Sequence, residues 1–257
     1  MEIIEETDWD YIYGLETVDY IYGQDDVDHI YAYGGDDYIY SGYGDDWVSG
    51  GYGIDIIYGQ YGDDILYGED GADDLYGGTG LDKLYGGSGA DDLYGGGGAD
   101  RLYGGAGRDD LYGASAGDRL YGGPQSDWLN GGGGKDYLAG GSGADIFYFA
   151  KGTSGLRTRT ADVITDWNGA YDAIDMRVAG TDDNYGEAGT TATSIATAAR
   201  QATAWFPDPA VQHVFLHNPS IDTGFLVSDL NGDGAFDTGV ILKRAGYASD
   251  FDFFNIV

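Results

Sequence analysis

An aspartate recurs every nine residues, without a gap, from Asp10 to Asp145, sixteen times in succession. Two residues after each stands an apolar side chain: Ile or Val from Ile12 to Ile57, Leu from Leu66 to Leu138, and finally Phe147. A fixed short period restricts the chain to a solenoid, because each unit has one apolar face that only stacked neighbours can bury. In the most regular stretch the units read GGTGLDKLY (77–85), GGSGADDLY (86–94), GGGGADRLY (95–103) and GGAGRDDLY (104–112). The Gly-rich half must turn tightly, since Gly alone takes left-handed backbone angles without strain. The Leu-Tyr half reads as a very short strand, with Leu pointing in and its neighbours out. Two nonapeptides then make one coil, and coils stack about 4.8 Å apart.

Residues 18 apart share a side of the solenoid. Asp64, Asp82 and Asp100 belong to one column, and Asp73, Asp91 and Asp109 to the opposite one. Two bare carboxylates about 5 Å apart repel by about 3 kcal/mol at an effective dielectric near 20. A hard cation between adjacent turns replaces that repulsion with attraction. Asp oxygens and turn carbonyls suit Ca²⁺, which takes six to eight oxygen ligands. The alternative is a metal-free solenoid whose Asp side chains bond only to turn amides.

The units resemble the RTX nonapeptide, G-G-x-G-x-D-x-U-x, in register over residues 5–148. The resemblance implies an all-β fold: a right-handed parallel β-roll of about eight coils that binds calcium. Turns from 50–55 to 104–109 mostly keep Gly at the first and fourth places. Asp46, Asp55, Asp64, Asp73, Asp82, Asp91, Asp100 and Asp109 are the foremost candidate ligands, and pairing each turn with the one 18 residues on gives six Ca²⁺ sites. Turns GASAGD (113–118) and GGPQSD (122–127) depart from the motif, while GGGGKD (131–136) and GGSGAD (140–145) keep it. Asp118, Asp127, Asp136 and Asp145 bring the total to about ten sites. Bulky or charged residues replace Gly in the turns before Asp10, Asp19 and Asp28, which leaves those as ordinary hydrogen-bonded turns or as a different cation arrangement.

Tyr fills the ninth place in thirteen of the sixteen units, next to the inward residue and therefore facing out. Stacked rings stabilise the sheets; alternatively, the Tyr faces form a flat surface for carbohydrate, for ice or for another copy.

After Phe149 the period stops, dividing the chain into a roll (1–148) and a β-rich capping domain with one short helix (149–257). Segments 161–167, 172–178, 211–218, 224–230 and 238–244 read as strands. Thr190–Trp205 reads as a helix with Ile195, Ala199 and Ala202 on one face, stopped by Pro207. The order ADIFYF, VITDW, terminal hairpin resembles the domain that follows the roll in serralysin-like proteins exported by type I secretion, and the DFDFFNIV tail resembles their export signal. DLNGDGAFD (229–237) places Asp229, Asn231, Asp233 and Asp237 at the 1-3-5-9 spacing of an EF-hand loop, although Val240 stands where the bidentate Glu belongs. A hairpin turn is the other reading of that loop.

A formal charge of −33 excludes a nucleic-acid binder. Twenty-two of the acids precede Lys83, with no Lys or Arg among them. There is no Cys, no apolar run long enough to span a membrane, and no basic-then-apolar leader at MEIIEETDWD. His213 and His217 lack the Glu of a helical zinc-protease motif, so no enzyme is expected in this chain. The expected protein is secreted, extracellular or at a bacterial surface, and folds on calcium. It acts as a structural or adhesive material that self-associates end-on through its acidic N-terminal coils, with the type I exporter as its other partner. The rival readings are an export-and-folding module of a secreted enzyme, and a carbohydrate- or ice-binding module.

Overall fold

The computed structural model of the chain describes residues 2–5, 11–150, 154, 161–168, 171–175, 185–189, 195–205, 213–218, 223–228, 236 and 238–243. The nonapeptides form the expected parallel β-roll of about eight coils. Successive strands alternate between two parallel sheets, and each strand from Tyr11–Tyr13 to Ile146–Tyr148 pairs with the strand 18 residues away, while Glu2–Glu5 pairs with Asp19–Tyr22. In one sheet Ile57, Leu75, Leu93, Leu111, Leu129 and Phe147 lie in register. In the other, Leu66, Leu84, Leu102, Leu120 and Leu138 do the same. These side chains are fully buried and merge into one core between the sheets. One aliphatic residue per nine, contributing about 1.5–3 kcal/mol, is a thin core. The ladders between coils must therefore supply much of the cohesion.

Turn geometry is set at two places in each unit. In the turns from Gln24 on, the second and fourth residues take positive φ, Gly71 excepted, as at Gly78 (106°) and Gly80 (145°). The irregular turns keep that geometry without glycine: Ala114 (78°), Ala116 (83°) and Gln125 (77°) also lie in the left-handed region. Strand pairing on either side is unbroken, with Leu120 still opposite Leu102 and Leu138. Hydrogen bonds to the coils above and below thus hold the fold against local preference, at a cost of order 1 kcal/mol per residue.

The outer faces carry the Tyr ladders. Along one sheet, Tyr22, Tyr40, Tyr58, Tyr76, Tyr94 and Tyr112 stack at 4.6–5.3 Å between ring centroids. The other holds Tyr67, Tyr85, Tyr103 and Tyr121 at 4.7–4.9 Å. Where Ser49 or Asn130 stands in place of Tyr, a Trp two residues earlier fills the gap. Trp47 contacts both Tyr31 and Tyr67 (4.8 and 5.5 Å), and Trp128 contacts both Tyr112 and Tyr148 (4.9 and 5.3 Å).

Both sheets continue past residue 148. Ala173–Asp175 extends the first, and Val163–Ile164 extends the second. The second sheet then runs through Thr238–Lys243, Thr223–Ser228, His213–Asn218 and Tyr185–Gly189. The helix, Ile195–Trp205, packs Ile195, Ala198, Ala199 and Ala202 against Leu216, Phe225, Val227 and Ile241. Its expected first turn, 190–194, lies outside the described residues, as do Asp10, the loop residues Asp229, Asn231, Asp233 and Asp237, and the DFDFFNIV tail. Within the strand expected at 161–167 only Val163–Ile164 pairs; of the one expected at 172–178, Ala173–Asp175 is a strand and 176–178 lie outside the described residues, while Tyr185–Gly189 is a strand that the sequence pattern does not indicate. Among the described residues no helix is long and apolar enough to cross a membrane.

Coil spacing makes two nearby glycines respond oppositely to alanine. At Gly89 (φ 151°) a Cβ would run into the Gly71 carbonyl oxygen, whereas at Gly97 the nearest atoms are 3.8 Å away. In calcium, thermal melts followed by circular dichroism should show Gly89→Ala lowering the midpoint by several degrees and Gly97→Ala leaving it unchanged or raising it.

Candidate metal centre

The Gly-rich turn bends the chain back so that the repeating Asp closes it, directly before the strand. From Asp19 to Asp145 these aspartates are buried, at 0–2% exposure. From Asp37 on, each is tied to the coil before it. The backbone N–H of Asp46 donates to Asp64 Oδ1, that of Asp64 to Asp82 Oδ1, and that of Asp82 to Asp100 Oδ1, at 2.8–2.9 Å. The opposite column repeats this through Asp55, Asp73, Asp91 and Asp109 at 2.8–3.0 Å. The six pairs expected from intact turns are therefore adjacent. The four pairs involving irregular turns share the same bond: Asp100 to Asp118, Asp109 to Asp127, Asp118 to Asp136, and Asp127 to Asp145, at 2.8–3.0 Å. Asp19 and Asp28 donate to Asp37 and Asp46 in the same way.

Only one carboxylate oxygen is used by that bond. The Oδ2 atoms of Asp55, Asp64, Asp73, Asp82, Asp91, Asp100 and Asp109 are buried with no hydrogen-bond partner. Each faces the first glycine of its own turn. Over Gly77 a Cβ would lie 2.5 Å from Asp82 Oδ2 and 2.8 Å from the Gly95 carbonyl oxygen of the next coil. A bare glycine, an unpartnered carboxylate oxygen and a carbonyl thus converge there. No cluster of three or more acidic or histidine side chains able to hold a metal occurs among the described residues. A cation in the columns would therefore draw mainly on backbone carbonyls, with Asp oxygens completing the set. That donor chemistry fits a hard, oxygen-seeking ion such as Ca²⁺.

Burial dominates the electrostatics. It pushes the carboxyls of Asp55, Asp82, Asp91, Asp118 and Asp127 up to about 7, and that of Asp64 to about 8. The amide bond from the preceding coil opposes this, while neighbouring column charges reinforce it. At Asp46 the side chain of Ser41, in the first turn position, also pulls downward.

Two residues that the nine-residue period does not reach continue the columns. The N–H of Asp136 donates to Asp162 Oδ1 (2.9 Å), and that of Asp145 to Asp172 Oδ1 (3.3 Å). The spacings are 26 and 27 residues rather than 18; Asp172 falls in phase with the period, but Ser154 and Val163 break the run of aspartates before it. The local signal is nonetheless present: Asp162-Val-Ile164 and Asp172-Ala-Ile174 repeat the order of Asp, one residue, then an inward apolar side chain. Asp162 is fixed further by Ser154, whose Oγ accepts the Asp162 N–H and donates to the Gly239 carbonyl (2.9 and 2.8 Å).

The sign of the pH dependence follows from these shifts. Without metal, burial raises the folded carboxyls, to about 7 at Asp55, Asp82, Asp91, Asp118 and Asp127, above their unfolded counterparts at about 4, so the roll binds protons more tightly than the unfolded chain. The stability this gives is full below about pH 4 and is lost as the pH rises through about 7. In EDTA, circular dichroism should report more β-structure at pH 5 than at pH 8; the reverse order would contradict this electrostatic account.

The family model described as RTX calcium-binding nonapeptide repeat (4 copies) matches residues 13–48, 40–75, 49–84, 76–111 and 112–147. Among solved structures the chain is similar to two repeat subunits of the Azotobacter vinelandii mannuronan C5-epimerase. The AlgE6R3 subunit is 24% identical over 67% of this chain and 80% of that one, with a TM-score of 0.33. The AlgE6R2 subunit is 22% identical over 66% and 88%, with a TM-score of 0.34. No curated protein matches the chain. With the family model covering 13–147, more than half of its length, the chain belongs to the RTX calcium-binding nonapeptide-repeat family.

Proposed function

We propose that this chain is a secreted protein whose roll forms when Ca²⁺ enters the aspartate columns, and that the rigid roll serves as an extracellular structural or adhesive element. The observation that carries the reading is the buried, unpartnered Oδ2 repeated along both columns. An ionised carboxylate in that position is costly unless a cation faces it. The residues that would hold the ions are Asp46, Asp55, Asp64, Asp73, Asp82, Asp91, Asp100 and Asp109, then Asp118, Asp127, Asp136 and Asp145, together with the turn carbonyls beside them. Asp162 and Asp172 would close the columns at the C-terminal end. The bound ion would neutralise the column charge and tie adjacent coils together, so that metal binding and folding become one event.

Sites of the extracellular type, filling at about 10⁻⁴–10⁻³ M, would leave the chain unfolded at cytosolic calcium levels. That supports export as an unfolded chain, with the C-terminal region as its signal and cap. A second reading draws on the first coils, where Tyr11, Tyr13, Tyr43, Tyr52 and Tyr61 are all more than half exposed. Those rings suit stacking on sugars, which would make the module an adhesive that holds glycans.

Calcium titration of the metal-free chain at pH 8, followed by circular dichroism and sedimentation, tests the reading. The expected result is a cooperative gain of β-structure and a compact species at sub-millimolar to millimolar calcium. Asp82→Asn keeps a carbonyl oxygen that can accept the Asp64 amide but removes the charge, and should raise the calcium midpoint severalfold. A roll that persists at pH 8 after thorough chelation would sink the proposal.

A further inference from the structure

In six successive units the residue between the repeating Asp and the inward side chain changes sign from unit to unit: Asp74, Lys83, Asp92, Arg101, Asp110, Arg119. Alternate units belong to opposite sheets, so the roll sorts these charges by face. Asp74, Asp92 and Asp110 stand in register on one outer face, beside Tyr76, Tyr94 and Tyr112. Lys83, Arg101 and Arg119 stand in register on the other, beside Tyr85, Tyr103 and Tyr121. Both triads occupy the same three coils. Ile56 and Ile65 precede them in the two columns, and Trp128 and Tyr137 follow.

Within one molecule this order is unfavourable. Like charges directly opposite on neighbouring strands repel, and mixed pairs would attract. Among the described residues no intrachain ion pair engages either triad.

We infer that the two faces are halves of one interface, in which the acidic Tyr face of one molecule packs on the basic Tyr face of a second copy of this chain. With the roll axes parallel, Asp74, Asp92 and Asp110 come opposite Lys83, Arg101 and Arg119 in a single register. The register holds because both triads repeat at the same coil spacing. Ile56 then meets Ile65, and Trp128 meets Tyr137. The contact is heterologous: each added molecule leaves one face of each kind free, so the assembly grows as an open lateral stack rather than closing as a dimer. Net negative charge opposes approach at long range, but at 0.1 M salt the Debye length of about 10 Å confines that repulsion, and contact pairs persist. The inference deepens the structural reading above but requires only a folded roll, however the roll is stabilised.

Sedimentation velocity in calcium and 0.1 M salt tests it, with circular dichroism confirming the roll in each sample. Wild type should form concentration-dependent oligomers that dissociate in 0.5 M salt. Lys83→Glu/Arg101→Glu/Arg119→Glu has two acidic faces and Asp74→Lys/Asp92→Lys/Asp110→Lys has two basic ones. Each alone should associate at least tenfold more weakly, and an equimolar mixture should recover association. If a triple variant fails to fold, Arg101→Gln and Asp92→Asn should each still weaken association measurably. Four results overturn the inference: a monomeric wild type at high concentration; association undiminished in both charge variants, which would place the contact at the roll ends; a folded mixture that stays monomeric; or a basic face that binds a polyanion such as heparin while wild type remains monomeric. Loss of the roll on chelation bears on the calcium reading alone, so the two proposals fail separately.

Discussion

The structure depends on carboxylates that are buried but only half satisfied. From Asp55 to Asp109 each column Asp takes one backbone N–H from the neighbouring coil and keeps its second oxygen in a dry turn beside a carbonyl. The hydrogen bond fixes the 18-residue register. The idle oxygen makes that register expensive at neutral pH unless a positive charge arrives. A single side chain therefore gives the fold both its geometry and its dependence on conditions. One oxygen of the carboxylate carries the hydrogen bond between coils, and the other is the atom that the proposed cation would face.

The outer faces follow a different logic. Inside, the roll is nearly uniform, with one Ile, Val or Leu per unit. Outside, it is patterned by sign and by ring. The Tyr ladders remain continuous even where the ninth place is lost at Ser49 and Asn130, because Trp47 and Trp128 reach across from a neighbouring column. A wider indole set two residues back substitutes for a phenol in line. Ring stacking along the roll axis is thus maintained by two different side-chain arrangements.

The period made the roll legible. It placed Ile12 to Phe147 inward and Asp19 to Asp145 in columns, and Ala spacing located the buried helix face. What escaped it had physical causes. Asp162 and Asp172 rejoin the columns after longer connections, so their role depends on tertiary register rather than on counting. Ala114, Ala116 and Gln125 take left-handed angles against their own preference, because neighbouring coils impose them. Tyr185–Gly189 has no strand pattern of its own and becomes one by pairing with His213–His217. The alternation of Asp with Lys or Arg spans six units of the sequence, and its sorting onto two faces becomes meaningful only once the coil holds two units.

The amide-to-carboxylate bonds all point the same way along the molecule. Every coil donates to the Asp of the coil that follows it, and the final donors, Asp136 and Asp145, are received by Asp162 and Asp172. The amide of each repeating Asp is thus satisfied by its C-terminal neighbour, while the amide after it donates back to the preceding coil, as that of Lys83 does to the Asp64 carbonyl. Asp162 and Asp172 therefore serve as terminal acceptors, and a roll cut off from such carboxylates would leave two buried amides unmatched.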